Sequence, residues 1–85
     1  MFYAIIAKDK QNSLNQRLAQ RPAHLARIQI LQDQGKLLLA GPFPAIDAID
    51  PGLDGFSGSL IVAEFTSLDE AIRWAHEDPF YISGV

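Results

Sequence analysis

Apolar residues gather in three short runs, FYAIIA at 2–7, LLLA at 37–40 and LIVA at 60–63, and elsewhere recur every three or four positions. The runs read as strands and the recurrent stretches as helices. The first strand, Met1 to Ala7, sets Tyr3 and Ile5 on one face and Phe2, Ala4 and Ile6 on the other, so both faces are apolar. The second, Lys36 to Ala40, is expected to close at Gly41-Pro42, because proline cannot donate to a sheet ladder. The third, Gly58 to Phe65, is apolar on both sides apart from Glu64.

Between the first two strands, Pro22 suits the first turn of a helix and Gly35 the position just past its end, which predicts a helix of about a dozen residues. Ahead of it, Ser13 is placed to cap a short segment, LNQRLAQ, in which Leu14 and Leu18 sit one turn apart. A break is expected near Gln20, since the residue preceding a proline avoids helical angles. Past the third strand, Ser67 followed by Glu70 makes a capping box that opens the helix LDEAIRWAHED. Its core stripe is expected at Leu68, Ala71, Ile72 and Ala75, with Trp74 and His76 at the margins and Asp69, Glu70 and Arg73 facing away. Asp78-Pro79 ends that helix and FYISGV runs out as a tail. Phe43 to Ser57 forms a connection longer than usual. Asp47, Asp50 and Asp54 within it lack the alternating ligand spacing of a calcium loop and read as solvated turn carboxylates.

The order β, α, β, long loop, β, α predicts one α+β domain over residues 1–85, a split βαβ arrangement whose antiparallel sheet carries both helices on one face. The opposite face of such a sheet is normally polar, and none of the three runs alternates. An 85-residue chain has no third layer to spare. The expected solution is a second copy packed sheet against sheet, a two-fold homodimer joined through the helix-free face.

Composition narrows the function classes. Ten acidic side chains against seven basic ones give a net charge of −3, and the Lys and Arg residues are scattered rather than striped, which argues against nucleic acid. No run reaches membrane-spanning length, and FYAIIA is too short for a signal-peptide core and runs directly into Lys8 and Asp9. The absence of cysteine removes thiolate nucleophiles and disulfides and points to the cytoplasm. Two histidines on different helices give no metal-ligand spacing, so no metal is expected.

Within the helix after Pro22, His24 falls on the same arc as Ile28 and Leu31, with Leu25 at its edge, and therefore faces inward. An inward imidazole has two readings: a core histidine satisfied by backbone groups, or a titratable group in a cleft. Composition alone favours the first.

RPAHL at 21–25, LLLAGPFPA at 37–45, GFSGS at 55–59 and DPF at 78–80 together resemble the YciI-like (YCII-related) family along the whole chain. The resemblance implies a ferredoxin-like subunit of the dimeric α/β barrel type, in agreement with the homodimer argued above. It also implies a His-Asp active-site pair, which by motif falls on His24 and Asp78, and it tips the reading of His24 towards catalysis. A relative removes chloride from a chlorinated hydroxyhydroquinone. In the family pattern a final strand follows Gly84-Val85 and completes a four-stranded sheet, so these 85 residues are expected to form three of its strands.

The expectation is therefore a small acid–base enzyme of lyase or isomerase type that needs no cofactor. His24 moves a proton on a small hydroxylated aromatic or lactone-like substrate, and Asp78 orients it. By position, Arg21, Arg27 and Ser59 are candidates to hold the ligand, and Gly41, Pro42 and Phe80 to shape its pocket. The alternative is a noncatalytic homodimer whose cleft or open sheet edge binds a ligand or partner.

Overall fold

In the computed structural model, which describes residues 1–85, Leu14–Asp33 forms one unbroken helix, α1, preceded by strand β1, Phe2–Lys8. The expected break near Gln20 does not occur, and Pro22 lies inside the helix instead of opening it. Proline forfeits one bond to the carbonyl four residues back, here that of Leu18, and crowds it. Both Pro22 and Leu18 are exposed, so that carbonyl lies where water reaches it, while Arg17 and His24 anchor the helix on either side. Ser13 stands at the N-cap without capping: its hydroxyl donates to the Lys10 carbonyl at 2.6 Å. Gly35 follows the end as expected, in the left-handed region at φ 71°.

Strand β2, Leu37–Pro44, runs through Gly41-Pro42 rather than ending there. The sheet order is β1-β3-β2, fully antiparallel, so β2 is an edge strand, where a residue without an N–H is tolerated. The long connection shrinks accordingly to Ala45–Gly55 and contains one 3-10 turn, Gly52–Asp54. Strand β3, Phe56–Glu64, is the centre of the sheet. Gly58 sits where β3 meets β1 too closely for any side chain: a Cβ there would come within 1.9 Å of the Ala7 carbonyl oxygen.

Helix α2, Leu68–His76, opens as the capping box predicts, the Glu70 N–H donating to Ser67 Oγ at 3.1 Å. The Glu70 carboxylate reaches one residue further back than usual and accepts from the Thr66 hydroxyl and N–H. These bonds, the hydroxyl's first, hold its carboxyl below the usual range. The expected stripe is partly wrong: Ala71 is buried, but Leu68 and Ile72 are exposed and Trp74 packs on the core. The helix is rotated so that its largest side chain, not its margin, meets the sheet. The expected tail is a short helix, α3, Pro79–Ser83, capped by Asp78 at its start and closed by left-handed Gly84. Asp-Pro at one end and Gly at the other are the capping signs that mark it.

The core lies between the sheet and the helices: Ile28 and Leu31 of α1, Ile61 and Ala63 of β3, Phe65 and Ala71. Tyr3, Ile5, Leu37 and Trp74 pack around them. The strand register puts Tyr3 opposite Ala63 and Ile5 opposite Ile61 on this side, and Phe2, Ala4 and Ile6 opposite Glu64, Val62 and Leu60 on the other. No helix covers that second face, where Phe2 is 53% and Ile6 70% exposed.

Candidate functional site

Two clefts of about 330 Å³ each meet at His24, Ser59, Ile61 and Phe80. One opens towards β2 and runs along α1 from Arg17 to Gln32, the other opens towards β1 and the end of the chain. His24 is 7% exposed, on the same helix face as Ile28 and Leu31. Its Nδ1 lies 2.8 Å from Asp78 Oδ2, a contact between residues 54 apart in sequence. That bond assigns Nδ1 the proton when the ring is neutral and leaves Nε2 as the acceptor. Nε2 has no protein partner, and no buried side-chain nitrogen or oxygen is left unpaired, so Nε2 keeps access to the clefts.

Asp78 comes to this position because it caps α3. The same Oδ2 accepts from the Phe80 N–H at 3.0 Å, which fixes the carboxylate at the turn between α2 and α3. Oδ1 accepts from Arg27 Nη1 at 3.2 Å. Burial pushes the Asp78 carboxyl up, but the hydrogen bond to His24, the bond from Phe80 and the nearby charges of His24 and Arg27 outweigh it. The net shift is downward, so Asp78 is ionised near neutrality.

The other expected residues divide into two groups. Arg21, Gly41, Pro42, Ser59 and Phe80 all line the cleft on the β2 side. The Phe80 ring is stacked on the imidazole, with centroids 4.0 Å apart and planes 12° apart. Arg27 is not among that lining. Its guanidinium lies 4.5 Å over the Trp74 ring and donates to Asp78.

Arg17 and Asp9 were not expected. Arg17 is among the most buried side chains and lines the β2-side cleft, with Nη1 donating to Asp9 Oδ2 at 2.6 Å. Arg17, His24, Ile28 and Leu31 share one helix face. The expected break at Gln20 assigned Arg17 to a separate segment and hid that alignment. No group of three or more His, Cys, Asp or Glu side chains is gathered anywhere in the fold. No helix is long and apolar enough to cross a membrane.

The YCII-related domain matches residues 1–85. The chain is 56% identical over its full length to protein YciI of Escherichia coli O6:H1 and of Shigella flexneri, and spans 87% of each. It is 48% identical to an uncharacterised protein of Haemophilus influenzae, with the same coverage. Among solved structures it is similar to the 5-chloro-2-hydroxyhydroquinone dehydrochlorinase of Burkholderia phenoliruptrix AC1100 in complex with 2,5-dihydroxybenzoquinone. The TM-score is 0.85 and the identity 31%, covering all of this chain and 84% of that one.

Proposed function

The chain belongs to the YCII-related family and has its ferredoxin-like, dimeric α/β barrel fold, and from that premise we propose that it is a cytoplasmic acid–base enzyme acting on a small hydroxylated ring. The observation that carries the reading is the 2.8 Å contact between His24 Nδ1 and Asp78 Oδ2 at the junction of two clefts. Asp78 holds the tautomer and offsets the positive charge that the ring gains on taking a proton. His24 Nε2 removes a proton from a ring hydroxyl or the carbon beside it. The electron pair left on the ring then expels a leaving group, giving elimination, or is protonated at another atom, giving isomerisation. Ser59 offers a hydroxyl to a substrate oxygen, and Gly41, Pro42 and Phe80 shape the walls. The similarity to a dehydrochlorinase of a hydroxyhydroquinone supports this substrate class.

Chloride release from 5-chloro-2-hydroxyhydroquinone is the direct test. Turnover by the native chain should fall by about 10²–10⁴ in His24→Ala, the usual contribution of a positioned acid or base. Equal turnover in that variant overturns the mechanism. One observation favours a second reading, a binding module whose His-Asp pair only pins α3 to α1: Asp78 is also the N-cap of α3. Under that reading His24→Ala lowers stability and no hydroxylated ring is turned over.

We also infer that two copies join through the helix-free face of the sheet. Exposed Phe2, Ile6 and Leu39 on that face support it.

A further inference from the structure

The pair of His24 and Asp78 has a third member. Arg27 follows His24 by one helical turn on α1, and its Nη1 donates at 3.2 Å to Oδ1, the Asp78 oxygen that His24 leaves free. The guanidinium carbon lies 4.5 Å from the centroid of the Trp74 ring on α2, and Trp74 is itself packed on the core. A long side chain that is 22% exposed is thus held from two directions.

The consequence is one of charge. The side chains of His24 and Asp78 are each 8% exposed, and a site so withdrawn from water favours the state of lowest net charge. A carboxylate alone with an imidazole is neutral when the ring is protonated and carries one negative charge when it is not, so the pair by itself retains the proton. With the Arg27 cation added, the three groups are neutral when the ring is unprotonated and carry one positive charge when it is protonated. A base has to begin without its proton. The contact of 3.2 Å is longer than the ~2.7–2.9 Å usual for charged pairs, so the charge of Arg27 matters here more than its fork.

Other ionisable side chains border the two clefts: Lys8 and Asp9 at the end of β1, Arg17 and Arg21 on α1, His76 on α2 and Tyr81 on α3, while β2 and β3 contribute none. Arg17 is paired with Asp9, His76 is stacked on Tyr81, and none of these is hydrogen-bonded or ion-paired to His24 or Asp78. Arg27 is the one cation in contact with the pair.

We propose that Arg27 is a positioning residue of the site, which through Asp78 keeps the His24 ring unprotonated and therefore available as the base. The inference rests on the reading of His24 as that base.

Proton NMR titration of the full chain tests this without a substrate, the His24 resonance being the one lost in His24→Ala. In Arg27→Gln, and in Arg27→Met, which keeps the packing on Trp74, the His24 titration should move to higher pH. Either neutral variant decides if the other fails to fold. Chloride release from 5-chloro-2-hydroxyhydroquinone should fall about 2- to 5-fold more on the acid side of its pH profile than on the alkaline side, the worth of one partly exposed charge. Arg27→Lys keeps the charge and should return both curves towards the native position. A titration that stays in place or moves to lower pH in the neutral variants would overturn the inference, as would a lysine variant that behaves like them. Turnover lost to the same extent at every pH would mean that Arg27 serves the ligand directly, and would overturn it too. If the native chain releases no chloride, the titration decides alone: a shift keeps the hold of Arg27 on His24 and removes the support for catalysis. His24-dependent turnover with a titration indifferent to residue 27 would do the reverse.

Discussion

At the scale of the residue, Asp78 joins two tasks that substitution separates. Asparagine is as good an N-cap as aspartate, so Asp78→Asn preserves the start of α3 and removes only the charge facing His24 and Arg27. Because the folded carboxyl titrates below its unfolded value, its contribution is complete above about pH 4 and is lost as pH falls through the lower folded value. Urea unfolding at pH 7 should find Asp78→Asn less stable by about 1.5–3 kcal/mol, the range for a hydrogen bond to a charged group. That gap should close as the pH is lowered through 4 towards 2. A gap that stays constant would mean that the carboxylate gains nothing from its partners. His24 was legible in the sequence because the helical period alone aligns it with Ile28 and Leu31. Asp78 was not: its partner lies 54 residues away, and no local pattern reports such a contact, so only the family motifs pointed to it. Arg17 escaped because arginine is a surface residue by habit, and burial becomes visible only once Asp9 is brought beside it.

The elements follow the same division between local and distant causes. Three strands and two of the helices were legible from period and caps, with ends displaced by a few residues. Where a local signal competed with packing, packing won. Pro22 is the clearest case, since its local preference is to start a helix and its neighbours on both sides are tied down, Arg17 to Asp9 and His24 to Asp78. That conflict is stored in the native state. Pro22→Ala should restore the bond to the Leu18 carbonyl and relieve the crowding against it, which in a helix interior is worth up to about 3 kcal/mol. Greater freedom of the unfolded chain offsets about 0.4–1 kcal/mol of this. The expected net result is a rise in thermal midpoint with unchanged helix content by circular dichroism. A fall would mean that the proline bends α1 to seat His24, and turnover would fall with it. In β2 the outcome had the same origin: Pro42 was read as a stop because its place at a sheet edge is a property of the topology.

At the scale of the whole molecule, the sheet is built as though a third layer existed. On the helix side every second residue of β3 is buried at Ser59, Ile61 and Ala63. On the other side Phe2, Ile6 and Leu39 stand in the open, although each would contribute about 1.5–3 kcal/mol if fully buried. A monomer leaves about half or more of Phe2 and Ile6 and much of Leu39 in water, whereas a two-fold pair covers them in both copies. Ile6→Asp distinguishes the two cases because residue 6 is already 70% exposed in the isolated chain. If the chain works alone, an aspartate there is harmless. If two sheets face each other, it sets a carboxylate from each copy among apolar side chains, a desolvation that Lys8, the cation of β1 on that face, does not cancel. Sedimentation velocity at micromolar concentration should therefore find a dimer for the native chain and a monomer for Ile6→Asp. Ile49→Asp, in the loop between β2 and β3, should leave the dimer intact. A native chain that sediments as a monomer would leave the apolar face without a purpose in the free protein. A dimer indifferent to residue 6 would place the contact elsewhere on the molecule.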